Sequence, residues 1–123
     1  DVDIGQQPTD SPAPGDLERK LREVFPNEGL RAAARAQLMR YGREAWHHEP
    51  ERVRLAILKL AGGDLLAVDR QVEAAGVDYR DILAQAEYPA YSRLPGGIDP
   101  SRPEAVAAMR SDRQQYLDWI RGN

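Results

Sequence analysis

Apolar residues recur at helical spacing along most of the chain, and the pattern is strongest between residues 50 and 89. The segment that starts at Pro50 carries an i, i+3, i+4, i+7 stripe, which is typical of an amphipathic helix. Leu55 and Leu58 lie off this stripe, so the helix is apolar on more than one side. We therefore predict a central helix at residues 50–60, around which the other helices pack. Its stripe consists of Val53, Ala56, Ile57 and Leu60.

Glycines and short polar residues divide the stretch after the central helix into two further helices. A Gly-Gly pair at 62–63 ends the central helix, and Asp64 is suited to cap the next one. Gly76 is predicted to end that fourth helix, and Asp78 to cap a fifth. Because the residue before a proline disfavours the helical conformation, the fifth helix is expected to end before Pro89.

Two helices are predicted before the central one. Asp16 is expected to cap the first, which ends at Pro26. Asn27 is expected to cap the second, which weakens at Gly42. The inner face of this second helix is predicted to consist of Leu30, Ala33, Ala34, Leu38 and Tyr41.

Residues 88–100 contain three prolines and a Gly-Gly pair, which predicts a loop. Ser101 and Glu104 then match a capping box, so a last helix is expected to run to about residue 121. The pattern as a whole predicts an all-α fold, a compact single domain of five to six short helices at residues 16–123, orthogonal or bundle-like. The inner side of the last helix is predicted to carry Val106, Met109, Arg113, Tyr116, Leu117 and Ile120.

Residues 1–15 are rich in proline and glycine and carry few large apolar groups, which predicts an extended N-terminal tail. Val2 and Ile4 are the side chains suited to anchor it. The tail has neither the basic region nor the apolar region of a signal peptide, so we expect that it is not one.

Composition narrows the classes of function. The chain has no cysteine, which excludes disulfides, thiolate metal sites and a cysteine nucleophile and agrees with a soluble, cytoplasmic protein. Its apolar runs are far shorter than the roughly 20 residues that span a bilayer, so no membrane partner is expected. The net charge of −3 argues against a nucleic-acid partner.

Two segments resemble small, uncharacterised bacterial helical proteins. They are RVRLAILKLAGGDL at residues 52–65 and DYRDILAQAEYP at residues 78–89, and the span from 52 to 89 is about a third of the chain. The resemblance implies a compact helical domain and carries no assigned activity, so it transfers no catalytic or binding residue.

One candidate interaction surface is a basic segment. Residues 31–59 contain seven cationic and three acidic residues. They could form an anion-binding patch, or they could pair with the acidic segment at residues 64–91, which contains six acids and two arginines. The arginines that we single out are Arg31, Arg35, Arg40 and Arg43.

A second candidate interaction surface is the tyrosine-containing loop after the fifth helix. Tyr88 and Tyr91 flank Pro89, and Arg93 follows them. Tyrosine and arginine are enriched where protein interfaces concentrate their binding energy, so this loop could be a protein interface. It could equally pack onto its own domain.

A helix-turn-helix at residues 71–87 is the first alternative, because Gly76 could provide the turn between two helices. The exposed positions of its second helix would be Arg80, Asp81, Gln85 and Glu87, whereas a helix that approaches phosphates should be basic.

A metal-dependent helical enzyme is the remote alternative. Glu44 and His47 have the E-x-x-H spacing that di-iron proteins place on one helix face, but such a site needs a second copy of this motif. The sequence also lacks the G-x-S-x-G, H-E-x-x-H and phosphate-binding glycine motifs. We therefore expect a protein that is not an enzyme and holds no cofactor. The sequence favours a non-catalytic protein-interaction or regulatory domain whose partner is another protein or a second copy in a homodimer.

Overall fold

The computed structural model describes residues 15–96 and 98–122, and this part of the chain folds into packed helices without a strand. The predicted all-α fold is confirmed, and the tail predicted at residues 1–15 lies outside the described residues except for Gly15. No helix in this part combines the length and the apolar character that crossing a membrane requires. The helices are α1 (Asp16–Val24), α2 (Glu28–Leu38), α3 (Pro50–Ala61), α4 (Leu65–Val77), α5 (Tyr79–Glu87), α6 (Pro89–Ser92) and α7 (Pro103–Arg121).

The central position of α3 is confirmed. It packs against α1, α4 and α5, and the apolar residues on two of its sides are fully buried, including Leu55 and Leu58, which lie off the predicted stripe. Burial on more than one side is the reason for its mixed apolar pattern. The helix begins at Pro50 and ends at Gly62, whose left-handed backbone (φ 60°) lets its N–H donate to the carbonyl of Leu58.

Three of the predicted helix caps are present. The side chains of Asn27, Asp64 and Asp78 each accept a hydrogen bond from a backbone N–H in the first turn of α2, α4 and α5. The donor–acceptor distances lie between 2.9 and 3.1 Å. Short polar side chains at these positions satisfy N–H groups that a helix start leaves open.

Two of the predicted caps are wrong. Asp16 lies inside α1 and pairs with Arg19 at 2.8 Å, while Gly15 precedes the helix. The capping box is also wrong, because the hydroxyl of Ser101 donates to Asp99 and α7 begins after Arg102. A proline at the first position of α7 fixes a helical φ there and moves the start of the helix past Ser101.

The predicted end of the fourth helix at Gly76 is wrong as well. Helix α4 continues through Gly76 to Val77, and no left-handed glycine separates it from α5. Asp78 alone connects the two helices, because its N–H donates to Ala74 while its side chain caps α5.

The second helix is shorter than its pattern indicated. Helix α2 ends at Leu38, and Tyr41 is buried in the loop beyond it, where its hydroxyl donates to the carbonyl of His48 at 2.9 Å. Leu30 was predicted to face inward but is 48% exposed, because it lies in the first turn of the helix, away from the core. Ala34 and Leu38 are buried as predicted.

The chain between α5 and α7 is not entirely a loop. Residues Pro89–Ser92 form α6, one turn that packs against α7. The inner side of α7 differs in part from the predicted one. Tyr116 is buried as predicted, but Ala105 and Asp112 are buried as well, and Arg113 is exposed. Asp112 is buried because its carboxylate accepts hydrogen bonds from backbone N–H groups of α6.

Candidate functional site

The corner between α5 and α6 is held in place by a buried carboxylate of α7. Asp112 is 1% exposed, and its two oxygens accept hydrogen bonds from the backbone N–H groups of Ala90 and Tyr91 at 2.8 and 2.9 Å. These N–H groups belong to the first turn of α6, where a helix has no internal acceptor for them. Asp112 therefore fixes the position of α6 against α7 through charge-assisted bonds.

A second buried carboxylate fixes the end of α5. Glu87 is 1% exposed, and Arg52 of α3 donates to its two oxygens at 2.9 Å from Nε and 2.7 Å from Nη2. Hydrogen bonding to Glu87 raises the pKa of the Arg52 guanidinium, so Arg52 stays protonated at any ordinary pH. Burial raises the pKa of Tyr116 far above its usual value, with the nearby Glu87 carboxylate as a further cause. Tyr88 lies in the chain between Glu87, which Arg52 binds, and the two residues whose N–H groups Asp112 accepts.

Tyr88 separates two surface cavities. We call the first the tyrosine groove: it lies between the α5–α6 corner and α7 and has a volume of about 410 Å³. The second, on the other side of Tyr88, has a volume of about 510 Å³ and is bounded by α5, α6 and the following loop, with Tyr91 and Leu94 in its wall. The tyrosine groove is lined by Tyr88, Val106, Met109, Arg110 and Arg113.

The rim of the tyrosine groove is positively charged. Arg110 and Arg113 are exposed side chains on α7, one turn apart, and Val106 and Met109 form the apolar floor between them and Tyr88. Two acids of α7 have partners of their own: Asp112 accepts from the first turn of α6, and Glu104 pairs with Arg102 at 3.3 Å.

Arg93 lies near the groove but outside it. Its side chain is exposed and lines a smaller cavity of about 290 Å³ together with Leu60 and Pro89. The structure therefore brings all three predicted residues of the loop, Tyr88, Tyr91 and Arg93, to neighbouring surface cavities.

The basic segment does not form one surface patch. Arg35 makes a two-pronged ion pair with Glu18, with a shortest distance of 2.6 Å, and this pairing lowers the pKa of the Glu18 carboxyl. Arg31 donates to the backbone carbonyls that follow α1, at 3.2 and 3.3 Å. Arg40 pairs with Asp69 of α4 at 2.6 Å. Together with the pair of Arg52 and Glu87, this last contact realises the predicted pairing with the acidic segment. Arg43 is exposed.

The geometry required for a helix-turn-helix is missing. The turn at Gly76 is absent, as described above, and Glu87 is buried although it was predicted to be an exposed position of the second helix. The exposed Arg80 lies beside Asp78, with 3.4 Å between Nε and Oδ1.

The geometry that the remote alternative of a metal site requires, Glu44 and His47 on one helix face, is not formed. Glu44 and His47 lie in a turn rather than on a helix. His47 uses Nδ1 to accept the backbone N–H groups of Gly42 and Glu44 at 2.8 and 3.2 Å, so it closes the loop before α3. No group of three or more metal-ligating residues occurs in the described ranges 15–96 and 98–122.

Sequence reasoning missed the arginine rim. Val106, Met109 and Arg113 were assigned to the buried side of α7 because their spacing is helical, and Arg110 was not considered. Arg113 within the stripe was the available signal, since a charge is rarely fully buried unless it is paired.

Comparison of the chain with protein-family models, curated proteins and solved structures finds no match. The resemblance of residues 52–65 and 78–89 to small bacterial helical proteins stays a prediction. The function is therefore inferred from the residues of this chain and their geometry.

Proposed function

We propose that this protein is a non-catalytic protein-interaction domain that binds an acidic segment of a partner protein in the tyrosine groove. The observation that carries the proposal is one cavity that Tyr88, the apolar Val106 and Met109 and the exposed Arg110 and Arg113 line together, next to the α6 turn that Asp112 holds. A site that is already formed loses little conformational entropy when it binds.

The chemistry of the groove selects the kind of partner. An apolar floor next to a tyrosine favours an aliphatic or aromatic anchor side chain from the partner. Arg110 and Arg113 on the rim favour carboxylates next to that anchor, because guanidinium groups bind carboxylates in a two-pronged geometry. A short segment with one large apolar residue flanked by Asp or Glu satisfies both requirements. The cytoplasmic location expected from the cysteine-free sequence stays a prediction.

The proposal is tested by selecting binders from a library of random 12-residue peptides displayed on phage, with the full chain as bait. We expect enrichment of peptides that combine a large apolar residue with Asp or Glu. Binding of a synthetic consensus peptide should weaken with salt, since part of it is charge attraction. The variant Arg110→Glu/Arg113→Glu should bind this peptide at least about tenfold more weakly, because like charges then face each other.

The matched control is Arg22→Glu/Arg43→Glu, which changes the net charge equally at two exposed arginines outside the groove. It should bind the peptide as the wild type does. Selection of no acidic-apolar consensus, or equal binding to both double variants, would show that the groove is not the interaction site.

A further inference from the structure

The outer face of α4 exposes apolar side chains on the side of the molecule formed by α2, α4 and the loop before α3. Leu66 is 71% exposed and Val77 is 89% exposed, at opposite ends of the helix. Trp46 is 59% exposed and lines a cavity of about 320 Å³ together with Gly76 and Val77. These are three of the four exposed large apolar residues in the described part of the chain.

Leu66 and Val77 belong to one exposed stripe with Arg70 and Glu73 between them. The four positions follow i, i+4, i+7, i+11 spacing, which keeps them on one face of an α-helix. The buried face of α4 lies opposite. Within the described residues, neither the Arg70 side chain nor the Glu73 side chain forms a hydrogen bond or an ion pair. The buried face consists of Val68, Val72 and Ala75.

Successive members of this stripe are four, three and four positions apart, so the spacing is the same from either end of the helix. A second α4 can pack antiparallel against the first, with a twofold axis midway between residues 71 and 72. Each apolar residue of the stripe then faces an apolar residue of the other copy, and each charged residue faces one of opposite charge. Leu66 then faces Val77 of the partner subunit, and Arg70 faces Glu73 of the partner subunit. Symmetry repeats both contacts, so the interface contains two apolar pairs and two ion pairs.

We propose that the outer face of α4 is the interface of a twofold-symmetric homodimer in which two copies of α4 pack antiparallel. A second copy is the partner that the stripe fits, because the order of its apolar, cationic and anionic positions is self-complementary. Trp46 lies at the Val77 end of the stripe and enlarges the interface beside Leu66 of the partner subunit.

The proposal is independent of the tyrosine groove. Helix α4 packs mainly against α2, α3 and α5, whereas the groove lies between the α5–α6 corner and α7. A dimer through α4 therefore leaves both grooves open, and loss of dimerisation leaves the proposed peptide binding at each groove unchanged.

The first experiment measures mass in solution by light scattering coupled to size-exclusion chromatography. Because a helix pair is a small interface, the protein is injected at about 100 μM and then diluted. We expect twice the 13.8 kDa mass of one chain at high concentration. Val77→Asp should remove the dimer while circular dichroism and the thermal midpoint stay close to wild type, because Val77 is 89% exposed.

A charge exchange tests the antiparallel pairing. Arg70→Glu alone and Glu73→Arg alone each create two like-charge contacts and should raise the dimer dissociation constant about tenfold or more. The combined Arg70→Glu/Glu73→Arg variant restores opposite charges and should return the constant to within about threefold of wild type. Arg22→Glu, on α1, is the matched control and should leave it unchanged.

Engineered cysteines test the register, since the chain has none of its own. Leu66→Cys/Val77→Cys should form interchain disulfides on mild oxidation, because the two positions face each other. Leu66→Cys alone should not, because its two copies stand about 16 Å apart along antiparallel helices. A monomer at about 100 μM, a dimer that Val77→Asp leaves intact, or cross-linking by Leu66→Cys alone would overturn the proposal.

Discussion

The tyrosine groove and the outer face of α4 are two surfaces of one small domain that are built in opposite ways. The groove is concave and lies beside the α5–α6 corner, which two carboxylates in the interior, Glu87 and Asp112, hold in place. The face of α4 is convex, and its stripe stands on a regular helix whose opposite side alone enters the core.

Because of this difference, single substitutions can test the two surfaces separately. A change at a buried carboxylate should alter both the stability of the fold and the groove, because the same atoms hold α6 and the end of α5 in place. A change on the α4 stripe should alter only association. A binding surface can thus be fixed either by buried polar contacts or by the geometry of one helix.

The largest effect is expected for Glu87→Gln, which keeps the size of the side chain and removes its charge. The Nε and Nη2 atoms of Arg52 then lose the carboxylate to which both donate, and Glu87 is only 1% exposed. We expect the free energy of unfolding to fall by about 2–3 kcal/mol, less than for complete loss of a buried pair, because the glutamine oxygen still accepts one bond. Urea denaturation monitored by circular dichroism measures this change.

The matched control for that experiment is Glu44→Gln, which makes the same chemical change at an exposed loop position. Its free energy of unfolding should stay within about 0.5 kcal/mol of wild type. An equal effect of both variants would mean that Glu87 gains no stability from its buried contacts with Arg52.

A smaller effect, confined more closely to the groove, is expected for Asp112→Asn. The amide can accept from only one of the two N–H groups at the start of α6, and its own NH₂ group faces the other. We expect a loss of about 1.5 kcal/mol in the free energy of unfolding. Amide hydrogen exchange at Ala90 and Tyr91 should become faster, and the consensus peptide should bind more weakly.

The Asp112→Asn variant should leave association through the α4 stripe unchanged. The variant should keep the mass of the dimer in light scattering at concentrations where it is folded. Unchanged exchange at Ala90 and Tyr91 would contradict the role given to Asp112, and loss of the dimer with native stability would contradict the independence of the two surfaces.

The smallest effect is expected for Glu18→Gln, at an ion pair that belongs to neither surface. The hydrogen bond from Arg35 lowers the pKa of Glu18 below its ordinary 4.5, so the unfolded chain binds this proton more readily. The contribution to stability is therefore present above pH 4.5 and is lost as the pH falls through the lowered pKa of the folded state. Because both side chains are more than one-third exposed, we expect less than about 0.5 kcal/mol at pH 7.

This prediction is checked by urea denaturation of wild type and Glu18→Gln at pH 7 and at pH 3. The difference between them should shrink at pH 3, where the carboxyl of the wild type is largely protonated in the unfolded chain. A difference that grows at low pH would contradict the assigned direction of the pKa shift.

Local patterns determined much of the helical architecture. The apolar residues around α3 and the capping side chains of Asn27, Asp64 and Asp78 act within a few residues of the chain, so they could be predicted from the sequence. The end of α4 could not, because a glycine permits a left-handed turn without requiring one, and Asp78 already ends one helix and caps the next.

The candidate surfaces also combine features that the sequence determines with features that depend on the tertiary structure. The sequence by itself determined that Tyr88, Tyr91 and Arg93 lie in one short segment after α5, and its helical period placed Leu66, Arg70, Glu73 and Val77 on one face of α4. Only the tertiary structure decided that Arg110 borders Tyr88, that Arg40 is paired with Asp69, and which charged residues enter the interior. The sequence around Asp112 does not distinguish it from an exposed polar residue of α7. It is buried because two N–H groups of α6, about twenty residues earlier in the chain, donate to it. Burial of a charge depends on partners that are distant in sequence, and no local pattern contains them.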